Sequence, residues 1–372
     1  MHFISCFGEG ITAQQASLIG AQHQYGRGRY VAVASEHEQH PGLLDAVRGL
    51  GIPVYVIDGL DDHKRFPALL RRVIGVLKQV RPSIVHVHTN WQLVLAWFAR
   101  IGARQRFPIV YSLHAYRNFR PLIRPFARTM IDVALWVAAD QVLFPSKRTH
   151  QAFPFSAKRG VVVHQAVEDV FFNPSNRRTH SDLRKLLMVA KFRRGKNQDL
   201  VIRALRAYID ATGNRDVMLT LVGDGEKLGF CRDLVKNLEL DDFVVFAGFL
   251  SREEVIQQYL QCEFAVIASN SETFGRCIVE PYLLGSFIFS TRVGVAEELI
   301  RDGVSGVLFK DERDLSRQFI RYLPNPAARA AMPAAMPSRG AEFRLSTVVA
   351  TVDGLYEQCL KRSVGLQRCE SQ

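Results

Sequence analysis

The chain has 372 residues, about twice the usual single-domain size, so two domains are expected, each able to bury its own core. Hydrophobic residues make up 48% and charged residues 23%, which excludes a disordered, collagen-like or membrane-embedded chain. The net charge of +12 is unevenly placed: residues 1–170 hold 20 basic and 11 acidic side chains, the remainder 28 and 25.

The excess concentrates in residues 63–131, which contain 13 basic side chains and no acidic one, so an anionic partner would be drawn to this region. Tyr111, Tyr116, Phe119 and Phe126 interleave with Arg106, Arg117, Arg120, Arg124 and Arg128. That mixture suits a peripheral membrane face at least as well as a nucleic-acid groove, and a plain solvated basic face is the alternative. No apolar run reaches the roughly 18 residues that span a bilayer, and residues 1–10 lack a leader pattern, so a cytoplasmic setting is expected. Six scattered cysteines (Cys6, Cys231, Cys262, Cys277, Cys359, Cys369) form no CxxC pair, which argues for reduced thiols rather than a disulfide framework or zinc module.

Short apolar runs bounded by turn residues predict buried strands at 2–7, 30–34, 53–57, 83–88, 109–113, 141–144 and 161–164. Helical patterns lie between them, for example 66–80 with Leu69, Leu70, Val73, Ile74 and Leu77 on one side, so βαβ units and a parallel doubly wound sheet are expected. Residues 173–181 are polar and aperiodic and read as a linker. The pattern then restarts, with strands at 186–190, 217–222, 243–246, 264–267, 287–289 and 306–309 and helices such as 197–208 and 251–259. Residues 324–337 cannot form one continuous helix because Pro333 and Pro337 remove backbone donors, and a last helix is predicted at about 347–361. The domains read as 1–172, 183–340, and a tail at 341–372 packing back toward the first.

Ligands of open α/β sheets sit beyond the carboxyl ends of the strands. The loop after strand 264–267 runs from Ser269 to Arg276 into a helix at 277–284, placing the amides of Thr273, Phe274 and Gly275 at a helix N-terminus, a ready anion site. Glu272 is either a capping carboxylate there or a partner of a sugar hydroxyl. Glu280, eight residues on, lies in an otherwise apolar helix just before Pro281. A carboxylate there needs a partner, either an internal salt bridge or a cis-diol such as ribose. The strand 186–190 ends in the basic loop Lys191 to Asn197, where Lys191 and Lys196 are placed to converge on one diphosphate, the plain alternative being a solvated loop. No Asp-x-Asp pair occurs, and Asp224 and Glu226 alone do not make a divalent-ion site, so no metal and no separate cofactor are expected.

Four ordered elements resemble a known family: Val189 to Phe192 with Lys196 to Asp199, Leu219 to Gly225, Val245 to Leu250, and Glu272-x7-Glu280. Together they resemble the nucleotide-sugar domain of retaining glycosyltransferases of family 4, with the GT-B fold: two Rossmann-like parallel-sheet domains facing a central cleft. The resemblance implies that Lys191 and Lys196 hold the diphosphate, Glu280 the ribose, and Glu272 with the amides of Thr273 to Gly275 the transferred sugar. Gly223, in the second of these elements, would belong to the donor-binding set, and the backbone at Phe249 and Leu250 would face the base. Lys191 stands where the family usually has Arg, replacing a planar fork by a point charge.

Gly8, Gly10 and Ala13 fit G-x-G-x-x-A after the first strand, with Glu36 further on, which imitates a dinucleotide fingerprint and supports an NAD-dependent oxidoreductase as a rival reading. That reading leaves the second-domain constellation unexplained; under the resemblance Gly10 belongs to a loop approaching the acceptor and donor phosphates. His114 ends strand 109–113 as a His-Ala pair, and the resemblance implies contact with the donor sugar near the reacting carbon, against a structural histidine otherwise. His86 reads as core and His88 as lining the acceptor side. Gln165 and Ala166 replace the Asn and Gly of the family's Asn-Gly-Val-Asp turn, so residues 163–168 are assigned no chemistry.

Taken with the resemblance, the sequence leads to the expectation of a metal-independent, retaining hexosyltransferase with His114, Glu272 and Lys196 at the reacting centre. Its donor would be a GDP- or UDP-sugar. Its acceptor would be a polyprenyl- or other lipid-linked glycan of cell-surface polysaccharide or lipopolysaccharide assembly, met at the anionic inner face of the membrane. Closure of the domains would exclude water. A nucleotide-sugar epimerase on the same fold is a further rival, and nucleic-acid binding is not expected.

Overall fold

The computed structural model describes residues 1–4, 18–24, 30–34, 47–60, 62–114, 124–172, 184–325 and 340–369. The loop at Gly8 to Gly10, Glu36, the polar stretch 173–181 and residues 326–337 lie outside them. The chain divides into two units, Met1–Ala166 with Glu342–Gln372, and Val167–Ala341.

The first unit is built on strands β1 (His2–Ile4), β2 (Ala32–Ala34), β3 (Val54–Val56), β4 (Val85–Val87), β5 (Ile109–Ser112), β6 (Gln141–Phe144) and β7 (Gly160–Val162). All pair in parallel, in the order β3-β2-β1-β4-β5-β6-β7. Helices α1 (Phe66–Val80), α2 (Asn90–Ala103) and α3 (Arg124–Ala138) cover one face. In α1 the buried residues Leu69, Val73 and Leu77 recur every fourth position, Pro67 occupies the first turn where its missing N–H costs nothing, and Arg81 stops the helix in a left-handed conformation. Thr89 caps α2 by accepting from the Gln92 amide at 3.1 Å. A short helix α4 (Lys147–Gln151) follows β6.

The second unit carries β8 (Arg184–Val189), β9 (Val217–Val222), β10 (Val244–Gly248), β11 (Phe264–Ile267), β12 (Phe287–Ser290) and β13 (Gly306–Leu308), all parallel, in the order β10-β9-β8-β11-β12-β13. Its helices are α5 (Gln198–Thr212), α6 (Leu228–Asn237), α7 (Arg252–Gln261), α8 (Arg276–Leu283), α9 (Ala296–Leu299) and α10 (Glu312–Tyr322). Phe264, Phe287, Phe289 and Phe319 are fully buried in its core, with ring centroids of successive pairs 5.0–6.1 Å apart. The last helix, α11 (Leu345–Cys369), returns to the first unit, where Val348, Val352 and Cys359 pack on Ile84, Val110 and Leu143 across the sheet face opposite α1–α3.

Every predicted strand is present, and three (141–144, 217–222 and 264–267) match residue for residue. The others differ by one or more residues at their ends, β8 beginning two residues earlier at Arg184 and β10 running on to Gly248, while residues 5–7 of the first expected strand lie outside the described residues. The helix expected at 277–284 begins and ends one residue earlier, with Gly275 as its N-cap and Leu284 as its C-cap. The last helix runs from 345 to 369 rather than 347 to 361. In both sheets the chain reverses its direction of growth beside the first strand, between β1 and β4 and between β8 and β11. The crevice beyond the strands at such a reversal is where α/β sheets bind ligands.

Candidate functional site

In the second unit the reversal brings together the two loops singled out in the sequence. The Lys191–Asn197 loop follows β8 and the Ser269–Gly275 loop follows β11, the neighbouring strand. They are zipped to each other: the Asn270 amide donates to the Gly195 carbonyl at 2.8 Å, and Asn197 Nδ2 donates to the Ala268 carbonyl at 2.7 Å and to Asn270 Oδ1 at 2.6 Å. Asn197 pays for this by adopting a left-handed backbone, φ 57°, which Asn tolerates better than most residues.

Lys196 Nζ donates to Glu272 Oε1 in a short ion pair, with both side chains largely withdrawn from solvent. Lys191 is exposed, and its carbonyl is held by Gln198 Nε2 at 3.1 Å. Gly275 caps α8 at φ 94°, with Thr273 and Phe274 just before it, so the amino end of α8 opens beside Lys196 and Glu272. Two glycines make the crowding possible. A Cβ on Gly223 would lie 2.3 Å from the Ala190 carbonyl oxygen, and one on Gly294 would lie 1.9 Å from that of Phe274. The Gly223 amide donates to the Gly248 carbonyl at 2.7 Å, which fixes the turn carrying Phe249, exposed, and Leu250, half-buried.

Glu280 is buried, its side chain 4% exposed, and it is paired. Arg252 Nη2 donates to its Oε1 at 2.7 Å and Arg276 Nε to the same oxygen at 3.2 Å. Both guanidiniums also bind Glu168: Arg252 Nη2 donates to Oε2 at 2.7 Å, and Arg276 Nη2 donates to both carboxylate oxygens in short contacts. The Arg252 guanidinium lies over the Phe171 ring at 4.7 Å. Burial raises the Glu168 carboxyl's pKa, but Arg276 and Arg252 outweigh it and hold the group below its usual range. The internal salt bridge considered for Glu280 is therefore real; since only Oε1 is engaged by the arginines, Oε2 is left for a further donor. The sequence reading missed Glu168, Arg252 and Arg276. Arg276 lies four residues before Glu280 on one helix, a spacing that signals such a pair, whereas Glu168 sits in the turn that was assigned no chemistry.

His114, the remaining catalytic candidate, lies two residues past the end of β5 in the first unit. His88 Nδ1 faces His114 Nε2 at 2.9 Å, and Gln165 Nε2 lies 3.4 Å from His114 Nδ1. Residues 163–168 thus carry both a His114 contact and the Glu168 ion pairs, contrary to expectation. His88 is buried against His114 and does not line an open acceptor surface, because its side chain points with His86 toward the face covered by α11. His86 is core, as read, with its nitrogens bound to Tyr356 Oη at 2.6 Å and Ser112 Oγ at 2.8 Å. Burial lowers the pKa of His114 to about 4, so it is neutral at physiological pH, and burial likewise lowers His2, His86 and His88 well below the usual imidazole value.

Among the described residues, the ligand atoms of His2, His86 and His88 lie within 4.8 Å of one another. The His86 and His88 rings stack, 28° from parallel with centroids 4.4 Å apart, whereas an ion must lie in the plane of each imidazole it binds; both His86 nitrogens are also engaged. This trio does not suit a shared metal. Gly10 falls outside the described residues.

A family model described as "Glycosyltransferase Family 4" matches residues 20–194, and one described as "Glycosyl transferases group 1" matches residues 171–338. A D-inositol 3-phosphate glycosyltransferase of Nocardiopsis dassonvillei is 28% identical, over 88% of this chain and 85% of its own. An N-acetyl-alpha-D-glucosaminyl L-malate synthase of Bacillus anthracis is 25% identical over 79% of each chain. Among solved structures, Anabaena Alr3699/HepE in complex with UDP superposes with a TM-score of 0.77 over 96% of this chain and 99% of that one, at 20% identity. With two parallel α/β units, the loops joined at the second reversal, and both family models matched in succession, the chain belongs to the family 4 glycosyltransferases and has the GT-B fold.

Proposed function

We propose that this glycosyltransferase is retaining and metal-independent, and that it moves a hexose from a uridine or guanosine diphosphate sugar to a lipid-linked glycan acceptor. The observation that carries the reading is the meeting of Lys196, Glu272 and the amino end of α8 where the loops after β8 and β11 are joined. An entering diphosphate competes for Lys196 against Glu272, frees that carboxylate for the sugar hydroxyls, and gains Lys191 and the helix dipole. Glu280 takes the ribose diol through its second oxygen while the arginines hold the first.

The bond from the anomeric carbon to the phosphate oxygen breaks, and negative charge grows on the departing diphosphate, where Lys191 and Lys196 offset it. The acceptor oxygen forms the new bond from the same face, and its proton passes to the leaving phosphate. Neutral His114 serves as a hydrogen-bond partner of the sugar rather than as an acid. The relatives named for inositol 3-phosphate and L-malate have anionic acceptors, which agrees with a basic first unit that binds an anionic acceptor at the inner membrane face.

A thermal-shift panel of UDP, GDP, ADP and their sugars, with and without EDTA, tests the donor class, since a ligand of the native state raises the melting temperature. A shift with UDP or GDP that EDTA leaves unchanged supports the reading, and an inverted product anomer by NMR refutes the retaining course.

A further inference from the structure

The outer surface of α2 and α3 is apolar where a helix layer facing water should be polar. On α3, Phe126 is 73% exposed, Met130 56% and Val137 51%, and with Val133 they fall at i, i+4, i+7 and i+11, a single stripe along the helix. On the adjacent α2, exposed Val94, Phe98 and Ile101 repeat the i, i+4, i+7 spacing. The inner residues of both helices are already spent on the core, so these stripes are surplus to folding. Arg71, Arg72 and Lys78 on α1, which packs against α2, Arg104 at the end of α2 and Arg128 on α3 are exposed and enter no ion pair among the described residues. Trp136, beside the stripe, has the Arg159 guanidinium over its ring at 5.7 Å, an aromatic and cationic pairing typical of the zone between lipid headgroups and acyl chains.

We propose that the α2–α3 face docks on an anionic phospholipid bilayer, with the two stripes entering the headgroup boundary and the surrounding cations resting on lipid phosphates. The charge selects this occupant over a second copy of the chain: residues 63–131 hold no acidic side chain, so two such faces brought together would oppose cation to cation. The proposal rests on the lipid-linked acceptor reading for its purpose, but binding is measured without turnover.

The test is co-sedimentation of the full chain with vesicles of one part phosphatidylglycerol to two parts phosphatidylcholine, and with phosphatidylcholine alone, at low and high salt. Binding at least about tenfold tighter to the anionic vesicles, weakening as salt rises, is expected. The double variant Phe126→Ser, Met130→Ser should lose about tenfold or more, and Arg71→Glu, Arg72→Glu should do the same and flatten the salt dependence. Both pairs are exposed, and an unchanged melting temperature and nucleotide shift verify that fold and donor site are intact. Equal binding to both vesicles, full binding by the serine variant, or a concentration-dependent dimer that this variant dissociates while vesicles are ignored would each overturn the proposal. A nucleotide shift that persists alongside such a failure leaves the donor reading standing.

Discussion

Mild acid should unfold the first unit, and four clustered histidines, three buried and one half-buried, set how steeply. His2, His86, His88 and His114 are each held below their ordinary pKa of 6.5, chiefly by burial, His114 at about 4. In the unfolded chain they titrate near 6.5, so below that pH the unfolded state binds more protons than the native state. Their contribution is fully present above pH 6.5 and is lost as the pH falls toward the folded values. Each such group costs up to about 1.4 kcal/mol per pH unit, so His114 alone forfeits about 3 kcal/mol between pH 6.5 and 4. His2, His86 and His88, lowered chiefly by the same burial, add to this loss in the same direction. All three tryptophans, Trp91, Trp97 and Trp136, lie in the first unit, so their fluorescence in urea titrations reports that unit alone. The midpoint should fall steeply between about pH 6.5 and 5, and His88→Gln should reduce the slope by about 1.4 kcal/mol per unit. A midpoint that stays level across this window would show that these histidines take up protons in the folded state, and would refute the argument.

Two substitutions separate the roles of the second-unit carboxylates: Glu280→Gln should abolish the UDP- or GDP-induced thermal shift. Glu168→Gln, at a site nearly half exposed, should cost under about 1 kcal/mol of stability and raise the donor KM only a few-fold, because Glu280 still holds both arginines. Equal losses from both would contradict the assignment of Glu280 to the ribose. Gly294→Ala should destabilise the chain by about 2–3 kcal/mol and weaken nucleotide binding, since the new methyl meets the Phe274 carbonyl and displaces the Glu272 loop. Gly213→Ala, at a helix end with open space around it, is the control: about 1 kcal/mol from its positive φ and no change in nucleotide binding, a contrast measured by thermal melts with and without UDP.

The period of the apolar residues and the position of the glycines determined the two parallel α/β halves and nearly all their elements, because a strand buried on both faces and a one-sided helix each leave a mark within a few neighbouring residues. The meeting of the loops that carry Lys196 and Glu272 was legible for a related reason: both follow neighbouring strands at the reversal, where chain order alone points to a ligand crevice. Tertiary structure decided what each charge and imidazole meets. Glu168 reaches Arg276 across 108 positions and Tyr356 reaches His86 across 270, and no local pattern encodes such partners. The same limit explains His88, whose alternation with His86 was visible while the ring it bonds, just past the end of the neighbouring strand, was not. It explains the bare stripes on α2 and α3 as well: their spacing is that of any amphipathic helix, and only the packed sheet shows that the core is filled by the opposite side.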